Sequence, residues 1–361
     1  MNEDCLKLTT YFGERHRTEH GLVADALLDV YGRHEVAISV LLRGAEGFGL
    51  KHHLRTDRLL TLSEDLPIVS VAVDERHRIE ATLEEVQSIR HHGLITLERA
   101  RMLTDDIGAT ALPEDLHEAT KLTIYVGRQE QISGSPAFAT LCDLLHRRGI
   151  AGATVLLGVD GTRHGHRERA RFFGRNADVP TMIVAVGDGE RIGRVLGEIG
   201  GLLRRPLLTL ERVRVCKRDG RLLARPGELP GTDEHGLAVW QKLMVYTSEQ
   251  AKHRGAPVHI ALVRALRAAR ARGATTLRGV WGFHGDHPPH GDRLLQLRRH
   301  VPVVTIVVDS PARIATLFDI VDEMTGERGL VTSEMVPAIA DVPQGAAGEG
   351  PRLARLRPPL P

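Results

Sequence analysis

The 361-residue chain carries 48 lysines and arginines against 46 aspartates and glutamates, a net charge of +2, with 42% hydrophobic and 26% charged residues. This is ordinary globular composition, and the near-balance of charge speaks against a dedicated nucleic-acid binder, which would carry a clear basic face. The three cysteines, Cys5, Cys142 and Cys216, lack metal-type spacing and fit a reducing, cytoplasmic setting; no apolar run approaches the ~18 residues of a membrane span, and no signal segment opens the chain.

In chain order, Leu6 to Phe12 alternates like a strand and Val23 to Tyr31 has helical spacing. Val36 to Leu42 is a second strand, ending at Arg43-Gly44, and a polar insertion from Ala45 to Asp65 follows, in which Arg58 to Leu62 reads as a short strand. Pro67 opens a third strand, Ile68 to Val73, at the position a strand tolerates proline. A helix from His77 to Arg90 closes at Gly93, and Leu94 to Ala100 is a fourth strand. The same order returns in Leu122 to Val126, Pro136 to Arg148, Ala153 to Leu157, Thr181 to Val186, Arg191 to Leu203 and Leu207 to Val215. It returns again in Lys242 to Tyr246, Pro257 to Arg272, Thr275 to Leu277, Val303 to Val308, Arg313 to Met324 and Leu330 to Met335.

The repetition is nearly gapless. Tyr11, Tyr125 and Tyr246 are each followed 33 residues later by Gly44, Gly158 and Gly279. Pro67, Pro180 and Pro302 come next, and then Glu98, Glu211 and Glu334. Three tandem units are therefore expected, at 1–104, 120–216 and 238–337, with linkers at 105–119 and 217–237 and a Pro/Gly-rich tail at 338–361 read as disordered. Each unit reads β-α-β-β-α-β, so the fold class is α+β: ferredoxin-like units of four antiparallel strands with two helices on one face. The uncovered sheet face must then meet something apolar, and association of the three sheets is the simplest way to cover it.

The pattern resembles the DUF190 family, related to the PII signalling proteins. The resemblance rests on Leu122 to Gly127, Gly149-Ile-Ala-Gly-Ala-Thr-Val-Leu-Leu-Gly158, Arg43-Gly-Ala-Glu-Gly-Phe-Gly49, Leu59 to Pro67, Gly93-Leu-Ile-Thr-Leu-Glu98, Gly273 to Gly279 and Val307-Val-Asp-Ser310. It implies inward-facing sheets packed as a trimer, here an intramolecular pseudo-trimer and hence a monomeric chain, with three separate beads or two paired units and a third apart as the alternatives. It also implies small effectors, adenine nucleotides among them, in clefts between units. The loops at 45–65, 159–178 and 280–300 would signal to a target protein or transporter. The units depart from one another at the expected clefts: Leu157 stands where the others have Arg43 and Arg278, and Gly187 where they have Asp74 and Asp309.

Read as residues, Arg43, Gly44 and Gly47, Gly158 and Gly161, and Arg278, Gly279 and Gly282 form glycine-marked turns, two of them beside an arginine. Such turns can cradle a phosphate with backbone N–H groups and an arginine fork, or can simply turn the chain. The spacing is neither a Walker motif nor a dinucleotide fingerprint. Arg58 and Arg293 occupy equivalent loop positions from which they would reach a ligand anion or rest in solvent. Asp74 and Asp309 would meet a ribose hydroxyl or cap the next helix. His52, His166 and His287 each lie eight residues after the strand-end glycine; gathered on one side they would make a metal site, otherwise they are exposed loop residues. Glu98, Glu211 and Glu334 recur singly, which is not a general acid/base pair, and no nucleophile elbow or His-Glu-x-x-His run is present. The expectation is a non-enzymatic sensor binding an effector between units, with two alternatives: a ligand-free partner-binding scaffold, or a metal-responsive sensor.

Overall fold

The computed structural model describes residues 2–49, 53–56, 65–89, 93–105, 107–108, 111–169, 178–284, 289–291, 301–327, 329–341 and 353–354. The first repeat comprises β1 (Asn2–Gly13), α1 (Val23–Arg33), β2 (Ile38–Phe48), β3 (Pro67–Glu75), α2 (Arg76–Ser88) and β4 (Leu94–Thr104). The second comprises β5 (Thr120–Gly127), α3 (Ala137–Arg147), β6 (Gly152–Leu157), β7 (Asp160–Arg163), β8 (Pro180–Gly187), α4 (Gly189–Leu202), β9 (Leu207–Arg212) and β10 (Arg214–Arg218). The third comprises β11 (Trp240–Ser248), α5 (Val258–Ala268), β12 (Ala274–Arg278), β13 (Trp281–His284), β14 (Pro302–Asp309), α6 (Pro311–Thr325), β15 (Leu330–Val336) and β16 (Ala338–Asp341).

Within each repeat the strands pair antiparallel with the first strand in the middle. The orders are β4-β1-β3-β2, β9-β5-β8-β6 and β15-β11-β14-β12. Alternation along these strands sends one set of side chains under the helices and the other to the opposite face. In the first repeat Leu6, Leu8 and Ile68 join Leu27, Tyr31, Ile79 and Leu83 in a core beneath α1 and α2. The second and third repeats have equivalent cores under α3 and α4 and under α5 and α6.

The opposite faces of all three sheets meet each other. Val69, Val71 and Val73, then Met182, Val184 and Val186, then Val304, Ile306 and Val308 belong to one shared cluster. The repeats are therefore not discrete ferredoxin-like units, as the sequence suggests; their strands form one continuous sheet. Two ladders cross each seam. Between the first and second repeats, β7 pairs with the start of β2, and β9 with the end of β4. Between the second and third, β13 pairs with β6, and β10 with β15. Between the third and first, the end of β2 pairs with β12, and β16 with the start of β4. The strands that would be exposed edges in a lone repeat thus all find partners, which removes the usual hazard of an open edge.

Two segments behave differently from the sequence expectation. The tail read as disordered supplies β16 at its start, and Ala354 is fully buried, its carbonyl accepting from Arg99 Nη2 at 2.8 Å. The first linker is packed, with Ile107, Leu112 and Leu116 inside the second repeat's core. Arg58 to Leu62 lies outside the described residues. Among the described residues, no helix is long and apolar enough to cross a membrane.

Candidate functional site

The shared core holds a set of buried charges. Lys7 on β1 faces Glu98 on β4, Lys121 on β5 faces Glu211 on β9, and Lys242 on β11 faces Glu334 on β15. These in-register pairs lie at 2.8, 3.1 and 2.9 Å. Each lysine also reaches into the next repeat: Lys7 to Glu211, Lys121 to Glu334 and Lys242 to Glu98, in every case the tighter contact. The six groups close into an alternating ring, Lys7–Glu211–Lys121–Glu334–Lys242–Glu98 and back to Lys7. All six side chains are less than a tenth exposed. Three ammonium groups balance three carboxylates, so the buried set is neutral, as buried charges require.

Electrostatics follows from this geometry. Burial pulls the Lys7 and Lys242 ammonium groups toward neutrality, but Glu211 and Glu98 outweigh it at Lys7, and Glu334 and Glu98 at Lys242; both stay above the ordinary lysine value. At Lys121 burial wins over Glu211 and Glu334, and the group falls below that value. Burial likewise opposes ionisation of Glu98 and Glu334, yet the surrounding lysines hold both below the ordinary carboxylate range. Tyr11, Tyr125 and Tyr246 lie four residues along from the lysines, close enough to feel the ring, and burial raises all three phenols.

The glutamate oxygens are not used equally. Each Oε2 bridges two lysines. Oε1 of Glu98 accepts from the Thr96 hydroxyl at 3.1 Å, whereas Oε1 of Glu211 and of Glu334 is buried without a hydrogen-bond partner. One carboxylate oxygen from each glutamate lies within 4.8 Å of the others, an arrangement able to hold a cation. A cation there would compete with ammonium groups that already neutralise those oxygens.

The glycine turns serve the seams. Gly47 lies opposite Thr275, Gly161 opposite Val40 and Gly282 opposite Thr154. A Cβ at Gly161 would run into the Ser39 carbonyl, and one at Gly282 into the Ala153 carbonyl. Gly44, Gly158 and Gly279 pack as closely on Pro67, Pro180 and Pro302. Arg43 pairs with Glu14 at 2.9 Å and Arg278 with Glu249 at 3.0 Å. Asp74 accepts from the backbone N–H of Ala37 at 2.8 Å and of Glu75 at 2.7 Å. Asp309 does the same with Arg272 and Ser310, so both aspartates tie the turn after the first helix to the end of the third strand. His166 is exposed on a two-residue strand. Arg58, Arg293, His52 and His287 lie outside the described residues. All three cysteine thiols are buried and free, with Cys5 pushed up to about 11 and Cys216 to about 12, chiefly by burial.

Sequence reasoning singled out Glu98, Glu211 and Glu334 but missed their partners. The signal was present: Lys7, Lys121 and Lys242 each precede the recurring tyrosine by four residues. Alternation hid them, because a lysine within a strand reads as facing solvent.

A tandem-repeat α+β protein with a buried charge ring is the class these features define. The chain belongs to the DUF190 family, described as "Uncharacterized ACR, COG1993", which matches at residues 5–102, 119–215 and 240–338. It is 34% identical over 65 residues to a UPF0166 protein of Aquifex aeolicus (strain VF5), covering 18% of this chain and 61% of that one, so it spans less than two thirds of that relative. A crystal structure of aspartate kinase from Synechocystis aligns with 94% of this chain and 44% of that one at 11% identity; its TM-score of 0.24 carries no argument.

Proposed function

We propose that this chain is a non-enzymatic binding scaffold, a covalent pseudo-trimer of ferredoxin-like units akin in design to PII-like proteins, monomeric and cytoplasmic. It presents its inter-strand loops to a target protein. The observation that carries this reading is the neutral ring: six charges, two from each repeat, satisfy one another and fasten the repeats into one body. Within the ring each carboxylate and each ammonium is engaged by opposite charges, which supports a structural role for it. The strand order within each repeat supports the PII-like comparison, and the buried free thiols support a reducing compartment.

The adenine-nucleotide reading has less behind it. No nucleotide-binding motif is evident, the glycines are occupied by backbone crossings, and Asp74 and Asp309 by turns. Calorimetry of the purified, metal-free chain against ATP, ADP, AMP and cyclic AMP tests this directly. The scaffold reading expects no saturable heat at two temperatures; one nucleotide bound at defined stoichiometry would overturn it in favour of an effector sensor.

The unpartnered Oε1 atoms of Glu211 and Glu334 favour one second reading, a cation-responsive form of the same body. It expects one divalent cation per chain by equilibrium dialysis, abolished by Glu211→Gln with Glu334→Gln. No retained cation removes that reading and leaves the scaffold.

A further inference from the structure

We propose that the third repeat is an exchangeable unit and that the partner it fits is a second copy of this chain. The three seams are built alike, but only two are crossed by a covalent connection. The seam between the third and first repeats is closed by non-covalent contacts alone: the end of β2 on β12, β16 on β4, Lys242 to Glu98, and Arg99 to the Ala354 carbonyl. A second copy offers the same groups in the same register, so an exchanged third repeat re-forms every one of these contacts and those of the seam with the second repeat. Exchange of an identical element between protomers is a low-cost route to a dimer for this reason.

The connections decide which repeat can move. The first, between repeats one and two, is anchored by Ile107, Leu112 and Leu116 in the second repeat's core. The second, from Asp219 to Val239, runs exposed over most of its length, and its Leu222 and Leu223 are 48% and 49% exposed. Most of its contacts are with the third repeat itself: Asp219 N–H donates to the Gly329 carbonyl, Arg225 pairs with Asp319 and lies over the Phe318 ring at 5.7 Å, and Gln241 Nε2 donates to the Gly227 carbonyl, while Leu223 N–H and Ala224 N–H donate to the Cys216 carbonyl. The third repeat can therefore swing out with most of its connection docked on it, once β10 is released from β15.

Register fixes how long that connection must be. Arg218 lies opposite Leu330, Leu330 opposite Tyr246, and Trp240 opposite Val336. Returning from Arg218 to Trp240 means crossing two strand spacings and running back along six residues of strand, roughly 22 Å. Deleting Gly220 to Leu237 leaves three residues, a reach of about 14 Å. That chain cannot close on itself and can close only on a second copy.

The test uses the full chain carrying Leu97→Cys and Ala338→Cys, register partners across the third seam. Their strand spacing suits a disulfide. The chain is unfolded and refolded reduced, at micromolar and near-millimolar concentration, then oxidised and sized on a non-reducing gel. Closure in cis through a flexible connection corresponds to an effective concentration of about 1 mM. The expected result is a covalent monomer at micromolar concentration and a growing covalent dimer near millimolar. In the deletion background, dimer is expected at every concentration. Monomer alone throughout, or a deletion chain that folds as a disulfide-closed monomer, overturns the proposal. Should the deletion chain fail to fold, the concentration series on the intact chain decides by itself. A nucleotide that binds the intact chain would retire the scaffold reading and leave this result untouched.

Discussion

The centre of the molecule and the rim of its seams were built from the same three repeats, yet they look nothing alike. At the centre every repeat contributes one lysine and one glutamate at matching register, without exception. At the rim, the position two residues after the strand-end glycine holds Glu46, Asp160 and Trp281 in turn. Asp160 is buried and binds Arg167 at 2.7 Å, and Arg167 reaches across the seam to Asp25 on α1 at 2.5 Å. Trp281 instead packs edge-on against Phe138 of α3 at 6.2 Å, with Phe283 against His146 close by. The difference has a physical cause. A closed ring of buried charges tolerates no single change, because each removal strands two opposite charges. A rim position lies on one seam and is tied to no closed ring, so a charge latch and an aromatic contact are both workable.

The largest test of this contrast is a single break in the ring. Lys242→Met leaves Glu98 and Glu334 each short of a lysine in a buried site, and the cost expected is about 3–5 kcal/mol in urea unfolding. Replacing all six ring residues with apolar side chains of similar volume should cost far less than that single change, or nothing. If Lys242→Met costs under ~1 kcal/mol, water reaches the ring and the centre is no more constrained than the rim.

Acid should find the centre first. Glu98 and Glu334 are held below their ordinary value of 4.5 in the folded chain. A depressed carboxylate contributes stability that is present above the unfolded value and lost as pH falls through the folded one. Stability should therefore hold down to about pH 4.5 and decline below it. Lys7 and Lys242, raised above 10.5, make the opposite contribution: present at neutral pH and lost only as pH climbs through their folded values. Equilibrium unfolding at pH 3, 5 and 7 checks the acid limb; a curve flat from 7 to 3 would show that the ring carries no linkage.

The rim latch should matter less. Arg167 is partly exposed, so Arg167→Ala forfeits a screened pair, but it leaves the buried Asp160 carboxylate with its own Gly161 N–H and a distant Arg169. The expected loss is about 1–2 kcal/mol, read from the urea midpoint, with the ring's acid dependence unchanged.

What the sequence disclosed divides along the same line. Strands and helices were legible because Leu6, Leu8, Ile68 and their counterparts alternate or recur at helical spacing, a local signal. The recurring glutamates were legible as a repeat, but their role was not, since it depends on Lys121 and Lys242 arriving from more than 100 residues away. Gly161 and Gly282 read equally as phosphate turns or plain turns, because nothing near them in sequence announces the backbone of Ser39 or Ala153 crossing above. β16 was invisible for the same reason: four residues have no pattern of their own, and they form a strand only because β4 offers an edge.

The smallest effect is expected at Trp281, and its size is informative. The indole N–H is buried without a partner, so the folded chain already bears the cost of stripping it of water. Trp281→Phe keeps a ring against Phe138 and removes that N–H. Lost area and lost desolvation cost act in opposite directions, and the net change should stay within ~0.5 kcal/mol. The same substitution logic applied to the ring gives several times that value, because there each Oε2 and each ammonium is shared between two opposite charges. A loss above ~1.5 kcal/mol at Trp281 would mean that its N–H is satisfied in solution by an ordered water, and that the rim between the second and third repeats is as closely specified as the centre.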